Sequence, residues 1–240
     1  MPKSEKVKIG QSAGKSFAYL LGVYLGDGCV SKAGNKLVFR VNTIDRDFAE
    51  AIKTALGDLT DRPVPICQYA VPKSSKPNIN LQCRCQELCE AFLRDTERKA
   101  AIPAYVWRWD RANRLAFIVG LMDSEGWVAA NTVNPTNRRF FMGYKSCDPW
   151  VPEFVRLLAS VGIMTGKVRT EKPRQEGYKT PMVFTVKMQS WIDSGARFNI
   201  ARKQNRIDEW ASAGAYERRA KFPRRLTSET TRPTPEGAMI

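Results

Sequence analysis

The sequence predicts an α+β protein made of two similar halves, each ordered helix, two strands, helix, two strands, helix. Three observations lead to this. An apolar segment occurs twice, FAYLLGVYLGDGCV at 17–30 and LAFIVGLMDSEGWV at 115–128, and Gly22/Gly120, Asp27/Glu125, Gly28/Gly126 and Val30/Val128 are each 98 residues apart. The stretches after the two copies are also alike: KLVFRVNTIDRDFAEAIKTAL (36–56) and RRFFMGYKSCDPWVPEFVRLLASVG (138–162) both read as strand, polar turn with Asp, then amphipathic helix. A third pair, NINLQCRCQELCEAF (78–92) and VFTVKMQSWIDSGARF (183–198), aligns when Leu81 is set on Phe184, which places Arg84 on Lys187.

Each element has a local cause. The repeated apolar segment reads as a helix with small residues four apart, Gly22 and Gly26 in one copy, Gly120 and Ser124 in the other. Residues at i and i+4 share a face, so these helices can pack backbone to backbone. Each helix ends in acid–Gly, and Gly28 and Gly126 are expected in a left-handed terminal conformation. Leu37, Phe39 and Val41 alternate with Lys36, Arg40 and Asn42, the pattern of a half-buried strand. The expected boundaries are a first half at 10–100, a joint at 101–113 (AIPAYVWRWDRAN), a second half at 114–215, and a basic, partly disordered tail at 216–240.

Charge narrows the function. Lys and Arg number 39 against 24 Asp and Glu, a formal charge of +15, which attracts a polyanion such as nucleic acid. No apolar run is long enough for a membrane span, and Lys3, Glu5, Lys6 and Lys8 replace any apolar signal near Met1, so an intracellular location is expected. The chain has no histidine, which excludes Ser-His-Asp hydrolases, His-dependent nucleases and His-ligated metals. Six cysteines show no paired framework. The cluster Cys83, Cys85, Cys89, even with Cys67, lacks the two separated knuckles of a structural zinc site and reads as small buried thiols.

If the two apolar helices pack in parallel, Asp27 and Glu125 meet at one end. Two carboxylates at helix C-termini oppose both dipoles and each other. That cost is explained if hard cations bind between them, since Mg²⁺ takes one or two carboxylates and completes its sphere with water and phosphate oxygens. Phosphodiester hydrolysis by metal-activated water is the chemistry such a site supports.

LLGVYLGDG (20–28) and IVGLMDSEG (118–126) resemble the two signature motifs of single-chain LAGLIDADG homing endonucleases, and the resemblance spans roughly residues 10–215. It implies two pseudo-symmetric αββαββα halves, each with a four-stranded antiparallel sheet forming a DNA-binding saddle, and motif helices at their interface. It also implies metal ligation by Asp27 and Glu125, with the carbonyls of Gly26 and Ser124 adding ligands. The implied activity is site-specific double-strand cleavage leaving 3′ overhangs, supported by Mg²⁺ or Mn²⁺, with Ca²⁺ supporting binding only. The implied partner is double-stranded DNA carrying a long, partly palindromic site, bound by a monomer. Several motif letters differ from the signature, and the second acid is Glu; both acids keep a hard carboxylate oxygen.

Residues opposite the apolar strand positions are the expected DNA contacts: Lys36, Arg40, Asn42, Asn80 and Gln82, with Gln68 and Lys73, in the first half; Arg138, Tyr144, Lys167, Arg169 and Thr185 in the second. The loops SSKPN (74–78) and EKPRQEGYKT (171–180) are basic tips that extend the reach. In such enzymes basic residues also flank the metals. Arg84 and Lys187 are the first choices, then Lys145, whose partner in the other half is taken as Thr43. Two other readings remain: an RNA-splicing maturase or non-cleaving DNA-binding protein of the same fold, and an intein, which the missing histidine and splicing blocks disfavour.

Overall fold

Two helices form the centre of the molecule, and glycine sets how closely they approach. In the computed structural model, which describes residues 14–60, 64–69, 77–131, 139–173 and 177–220, α1 (Lys15–Leu25) is buried from Phe17 to Leu25. Helix α4 (Arg111–Ser124) starts where the Asp110 side chain accepts a hydrogen bond from the Asn113 amide at 2.7 Å. The helices run the same way. A Cβ at Gly22 would fall under 3.0 Å from the Phe117 carbonyl oxygen and the Leu121 amide nitrogen, and one at Gly26 would lie 2.8 Å from Ser124 Oγ. A Cβ at Gly120 would collide with the Tyr19 carbonyl oxygen. The expected small-residue seam is therefore the contact itself.

A four-stranded antiparallel sheet with flanking helices comes after each central helix. In the first half β1 (Cys29–Ala33), β2 (Lys36–Thr43), α2 (Arg46–Gly57), β3 (Ile66–Tyr69), β4 (Asn78–Cys83) and α3 (Gln86–Asp95) give the strand order β1-β2-β4-β3. In the second half β5 (Gly126–Asn131), β6 (Arg139–Ser146), α5 (Val151–Ser160), β7 (Arg169–Thr170), β8 (Met182–Thr185) and α6 (Met188–Asp193) give β5-β6-β8-β7. One face of each sheet covers the helices, where Phe39, Val41, Ile79 and Leu81, and Met142, Tyr144 and Phe184, are buried. The other face of each sheet points away from this core. The chain continues into α7 (Ala201–Ala220).

The joint is part of the core. It forms a 3₁₀ turn at Ala104–Arg108, and Ile102, Val106 and Trp109 are buried. The Trp109 ring meets Phe17 edge-on at 6.3 Å and Phe117 at 6.4 Å, one from each central helix.

The structure corrects four expectations. Gly28 and Gly126 are not left-handed; they are small because the chain turns back on its helix. A Cβ at Gly28 would be 2.7 Å from both Tyr24 Cα and the Phe39 ring, and one at Gly126 would be 3.0 Å from Met122 Cα. Tyr144 does not face outward: it is fully buried, with its ring 4.9 Å from Phe154 and 5.5 Å from Phe184. The register explains this, because Tyr144 opposes Phe184 as Val41 opposes Leu81, so Tyr144 takes the core position of Val41. The same register makes Asn42, not Thr43, the counterpart of Lys145. Gln68 pairs with Ile79 and so leaves the sheet on the helix side, whereas Cys67 and Tyr69 share a face with Asn80 and Asn78. Lys73, Arg138, residues 74–76 and 174–176 of the two loop tips, and tail residues 221–240 lie outside the described residues.

Candidate active site

Because the two central helices touch at Gly26 and Ser124, their C-terminal ends are adjacent. Gly26 caps α1, Glu125 caps α4, and a Cβ on Gly26 would be 3.4 Å from Glu125 Cγ. Asp27 is the next residue. It keeps access to solvent and lines an open depression of about 320 Å³ with Asn42, Asp45, Asn78, Asp123 and Ser124. Partial loss of water raises its carboxyl above the ordinary value, helped by the charge of Asp45 and opposed by Lys203 and Lys99. Half-buried Glu125 is pushed up to about 7, first by burial and then by the negative charges of Asp27 and Asp148, again opposed by Lys99 and Lys203. Neither acid forms a direct ion pair with a described residue.

Lys99 and Lys203 are the cations whose charge reaches both acids, and sequence reasoning does not single them out. Each holds the end of a central helix. Lys99 Nζ donates to the Gly26 carbonyl at 2.6 Å; Lys203 Nζ donates to the Met122 and Asp123 carbonyls at 3.0 and 2.5 Å. An ammonium at a helix C-terminus satisfies free carbonyls and complements the dipole. Each ammonium lies over an aromatic ring, Lys99 Nζ over Tyr24 and Lys203 Nζ over Phe198, both 5.5 Å from the ring centre. Burial lowers Lys99, against the pull of Asp148, Glu125 and Asp27, and lowers Lys203 to about 8 against that of Asp123.

The two lysines arrive by different routes. Lys99 ends three consecutive non-glycine residues in the left-handed region, Glu97, Arg98 and Lys99 at φ 49°, 57° and 75°. Such backbone is strained and needs outside support. Thr96 Oγ1 accepts from the Lys99 amide at 3.0 Å, and the Lys99 carbonyl accepts from Trp150 Nε1 at 3.0 Å. Lys203 sits in the first turn of α7, and that turn is tied to the first half: Arg202 forms two bonds of 2.8 Å to Asp45, and the Ala201 amide donates to Asp47. A signal for both lysines is present, since Arg-Lys occurs at 98–99 and again at 202–203.

Asp123 adds a buried acid without a counterpart, since the equivalent motif position is Leu25. It accepts from Tyr19 Oη at 3.0 Å, the Asn199 amide at 3.1 Å and Asn199 Nδ2 at 2.9 Å. Burial lifts its carboxyl to about 6 in spite of these bonds.

The other predicted residues spread outward. Lys36, Arg40, Asn42, Asn80 and Gln82 share the outer face of the first sheet, and Arg169 and Thr185 lie on that of the second. Lys167 is exposed just before β7. Arg40 keeps a buried Nε without a partner among the described residues. Lys145 is also on the outer face, 2.5 Å from Glu171. Arg84 and Lys187 hold equivalent exposed places just before α3 and α6, and Arg84 lines a separate cavity of about 330 Å³ with Cys67, Cys83 and Cys85.

Residues 14–60 match the LAGLIDADG-like domain family. Over 75% of this chain and 92% of the other, the backbone superposes on mesophilic variants of the homing endonuclease I-DmoI with a TM-score of 0.51 at 18% identity. The chain has the LAGLIDADG homing endonuclease fold. I-GzeII in complex with its DNA target shares it (TM-score 0.50, 10% identity, 87% of this chain and 92% of that one), as does the N-terminal LAGLIDADG domain of DUF199/WhiA (TM-score 0.50, 14% identity, 75% and 78%). In sequence, an uncharacterized protein of Methanocaldococcus jannaschii is 25% identical over 127 residues, 52% of this chain. The chain spans 44% of that relative's length. The matched residues 14–60 contain α1 and Asp27.

Proposed function

We propose that the protein is a site-specific, divalent-metal-dependent DNA endonuclease that cuts both strands of a long, partly palindromic duplex site as a monomer and leaves 3′ overhangs. The observation that carries this is the meeting of Asp27 and Glu125 at adjacent helix ends, between two sheets whose outer faces bear polar and basic side chains. Two hard carboxylates without a direct ion pair to a described residue suit Mg²⁺ or Mn²⁺, and the Ser124 carbonyl is a further candidate ligand. The Gly26 carbonyl is engaged by Lys99 and would have to be shared or released. Among the described residues no group of three His, Cys, Asp or Glu side chains forms, so water and phosphate oxygens must complete the sphere, as they commonly do for Mg²⁺. Bound there, the cation would activate a water and stabilise the leaving oxygen.

The chain's own residues do the rest. Asp27 and Glu125 would hold the cation, and the raised carboxyl of Glu125 makes that binding compete with protons near neutral pH. Lys99 and Lys203 supply fixed positive charge beside the phosphates, Arg84 and Lys187 contribute from the strand ends, and the sheets hold the duplex. Two solved complexes support the reading: I-GzeII is bound to a DNA target, and a variant of I-DmoI (TM-score 0.51, 16% identity) is bound to its target DNA in the presence of Mn.

The test is a plasmid library with a long randomised insert, incubated with the protein and Mg²⁺, from which linear products are recovered and sequenced. We expect one enriched site, cut by the parent chain and left intact by Asp27→Asn and Glu125→Gln, both of which still bind it in Ca²⁺. No enriched site, or undiminished cutting by both variants, overturns the proposal.

A further inference from the structure

The two sheets are homologous, yet their outer faces differ in chemistry. On the first, amides form a chain: Asn80 Nδ2 donates to Asn42 Oδ1 at 2.5 Å, and Gln82 Nε2 donates to Asn80 Oδ1 at 2.9 Å, with Arg40 directly across from Gln82. On the second, the outward pairs next to the acids are Trp127 with Gly143 and Ala129 with Phe141. The indole lies across the glycine, because a Cβ on Gly143 would be 2.5 Å from Trp127 Cζ2. Phe141 is 42% exposed, whereas its counterpart in the first sheet, Val38, is fully buried. Thr185 presents its side chain beside Gly143. This apolar strip begins two residues after Glu125 and is continuous with the candidate active site.

An exposed phenylalanine in the middle of a strand gains nothing from water, and its surroundings indicate what covers it. Lys145 and Arg169 share its face and Lys187 stands at its end, an arrangement suited to a polyanion with an apolar feature. In the major groove that feature is the thymine 5-methyl group, which apolar side chains contact. RNA fits poorly, since uracil lacks the methyl and the A-form major groove is too narrow to enter.

Resting on the reading of these faces as DNA-binding, we infer that the second sheet recognises thymine methyl groups through Phe141, Ala129 and Thr185, so that the two half-sites are read by different chemistry. The amide chain of the first sheet reads hydrogen-bonding edges, and Asn and Gln pair best with adenine.

The inference is tested by selecting a randomised duplex library on the full chain in Ca²⁺ and measuring affinity for the enriched site with deoxyuridine replacing thymidine in one half at a time. Deoxyuridine removes only the methyl. In the half bound by the second sheet we expect affinity to fall about fourfold per contacted methyl, the equivalent of about 0.8 kcal/mol. In the other half it should change by less than about twofold. Phe141→Ser, an exposed substitution, should bring the thymidine-to-deoxyuridine ratio close to one without changing the thermal melting point. Indifference to deoxyuridine in both halves, or an undiminished thymidine preference in Phe141→Ser, overturns the inference while leaving the endonuclease reading intact. Failure to enrich any sequence removes both.

Discussion

Replacing Gly22 by alanine tests whether the helix seam holds the two halves together. The new Cβ would lie 2.9 Å from the Leu121 amide nitrogen and closer still to the Phe117 carbonyl oxygen. Both are backbone atoms of α4, so no rotamer change relieves the overlap. An ordinary carbon–oxygen contact begins at about 3.3 Å, so the helices must part by about 1 Å along that line. Overpacking a tight core costs about 1–3 kcal/mol, and a rigid backbone partner puts this case at the upper end. At about 2–4 °C per kcal/mol for a chain of this size, the melting temperature should fall by about 6–12 °C. Gly57→Ala is the control: it ends α2 and a Cβ there meets nothing within 4 Å, so it should gain about 0.5–1 kcal/mol. Thermal unfolding followed by circular dichroism in chelator reads both. A Gly22→Ala protein melting within about 2 °C of the parent, or both substitutions shifting the same way, would refute the seam argument.

The same geometry fixes four further outcomes. Glu125 has its carboxyl raised from 4.5 to about 7, so the folded state holds the proton more tightly than the unfolded one and stability is lost as pH rises through that window; in chelator, Glu125→Gln should melt above the parent by an amount growing between about pH 5 and 8, up to about 3 kcal/mol, and equal melting at pH 8 would mean the acid is not so confined. Lys99→Met and Lys203→Met should each slow single-turnover cleavage about 10²-fold with little change in affinity, and the same assay on Arg84→Met and Lys187→Met shows which pair acts at the phosphates; a loss confined to affinity would make any of them a DNA contact only. Arg202→Ala removes the half-exposed pair with Asp45 and should cost about 0.5–1 kcal/mol in low salt, a difference that 1 M salt should shrink; an unchanged melting point would leave the tie no part in stability. DNA affinity should drop about 10³–10⁵-fold between 50 and 200 mM salt, and a flat response in a titration would deny a backbone-tracking surface.

The duplicated motif makes the fold legible, because one pattern of small residues, acids and alternating strands occurs twice and each copy checks the other. Asp27 and Glu125 come with it, since parallel packing at Gly22 and Gly120 leaves them nowhere else to go. The second sheet is harder. The sequence alignment already sets Phe184 on Leu81, 103 residues apart, but it sets Lys145 on Thr43, 102 apart, and so puts Tyr144 on the outward Asn42; the strand register shifts it one residue, onto Val41. Without that shift Tyr144 reads as outward. Lys99 and Lys203 escape because one sits in a left-handed turn and the other in a helix. No shared periodicity joins them, only the repeated Arg-Lys. The constraint on Gly28 and Gly126 is crowding rather than handedness, and a string of letters does not record crowding.

The bond from Tyr19 to Asp123 has a consequence for ancestry. Its mirror image would join Phe117 to Leu25, and those residues are apolar and fully buried. A homodimer of first halves would set the Tyr19 hydroxyl against Leu25, and a homodimer of second halves would set Asp123 against Phe117. The first leaves the buried Tyr19 hydroxyl without its partner, at a cost of about 1–3 kcal/mol for each one stranded, whereas the second keeps the Asn199 bonds to Asp123 and loses only the one from tyrosine. Being symmetric, the first strands two. Only the mixed pairing makes the bond from Tyr19 to Asp123, so this seam tells one half from the other. Once the copies had diverged to this pair, a half paired with itself would lack the bond, and a gene split at the joint should yield fragments that favour each other over their own kind.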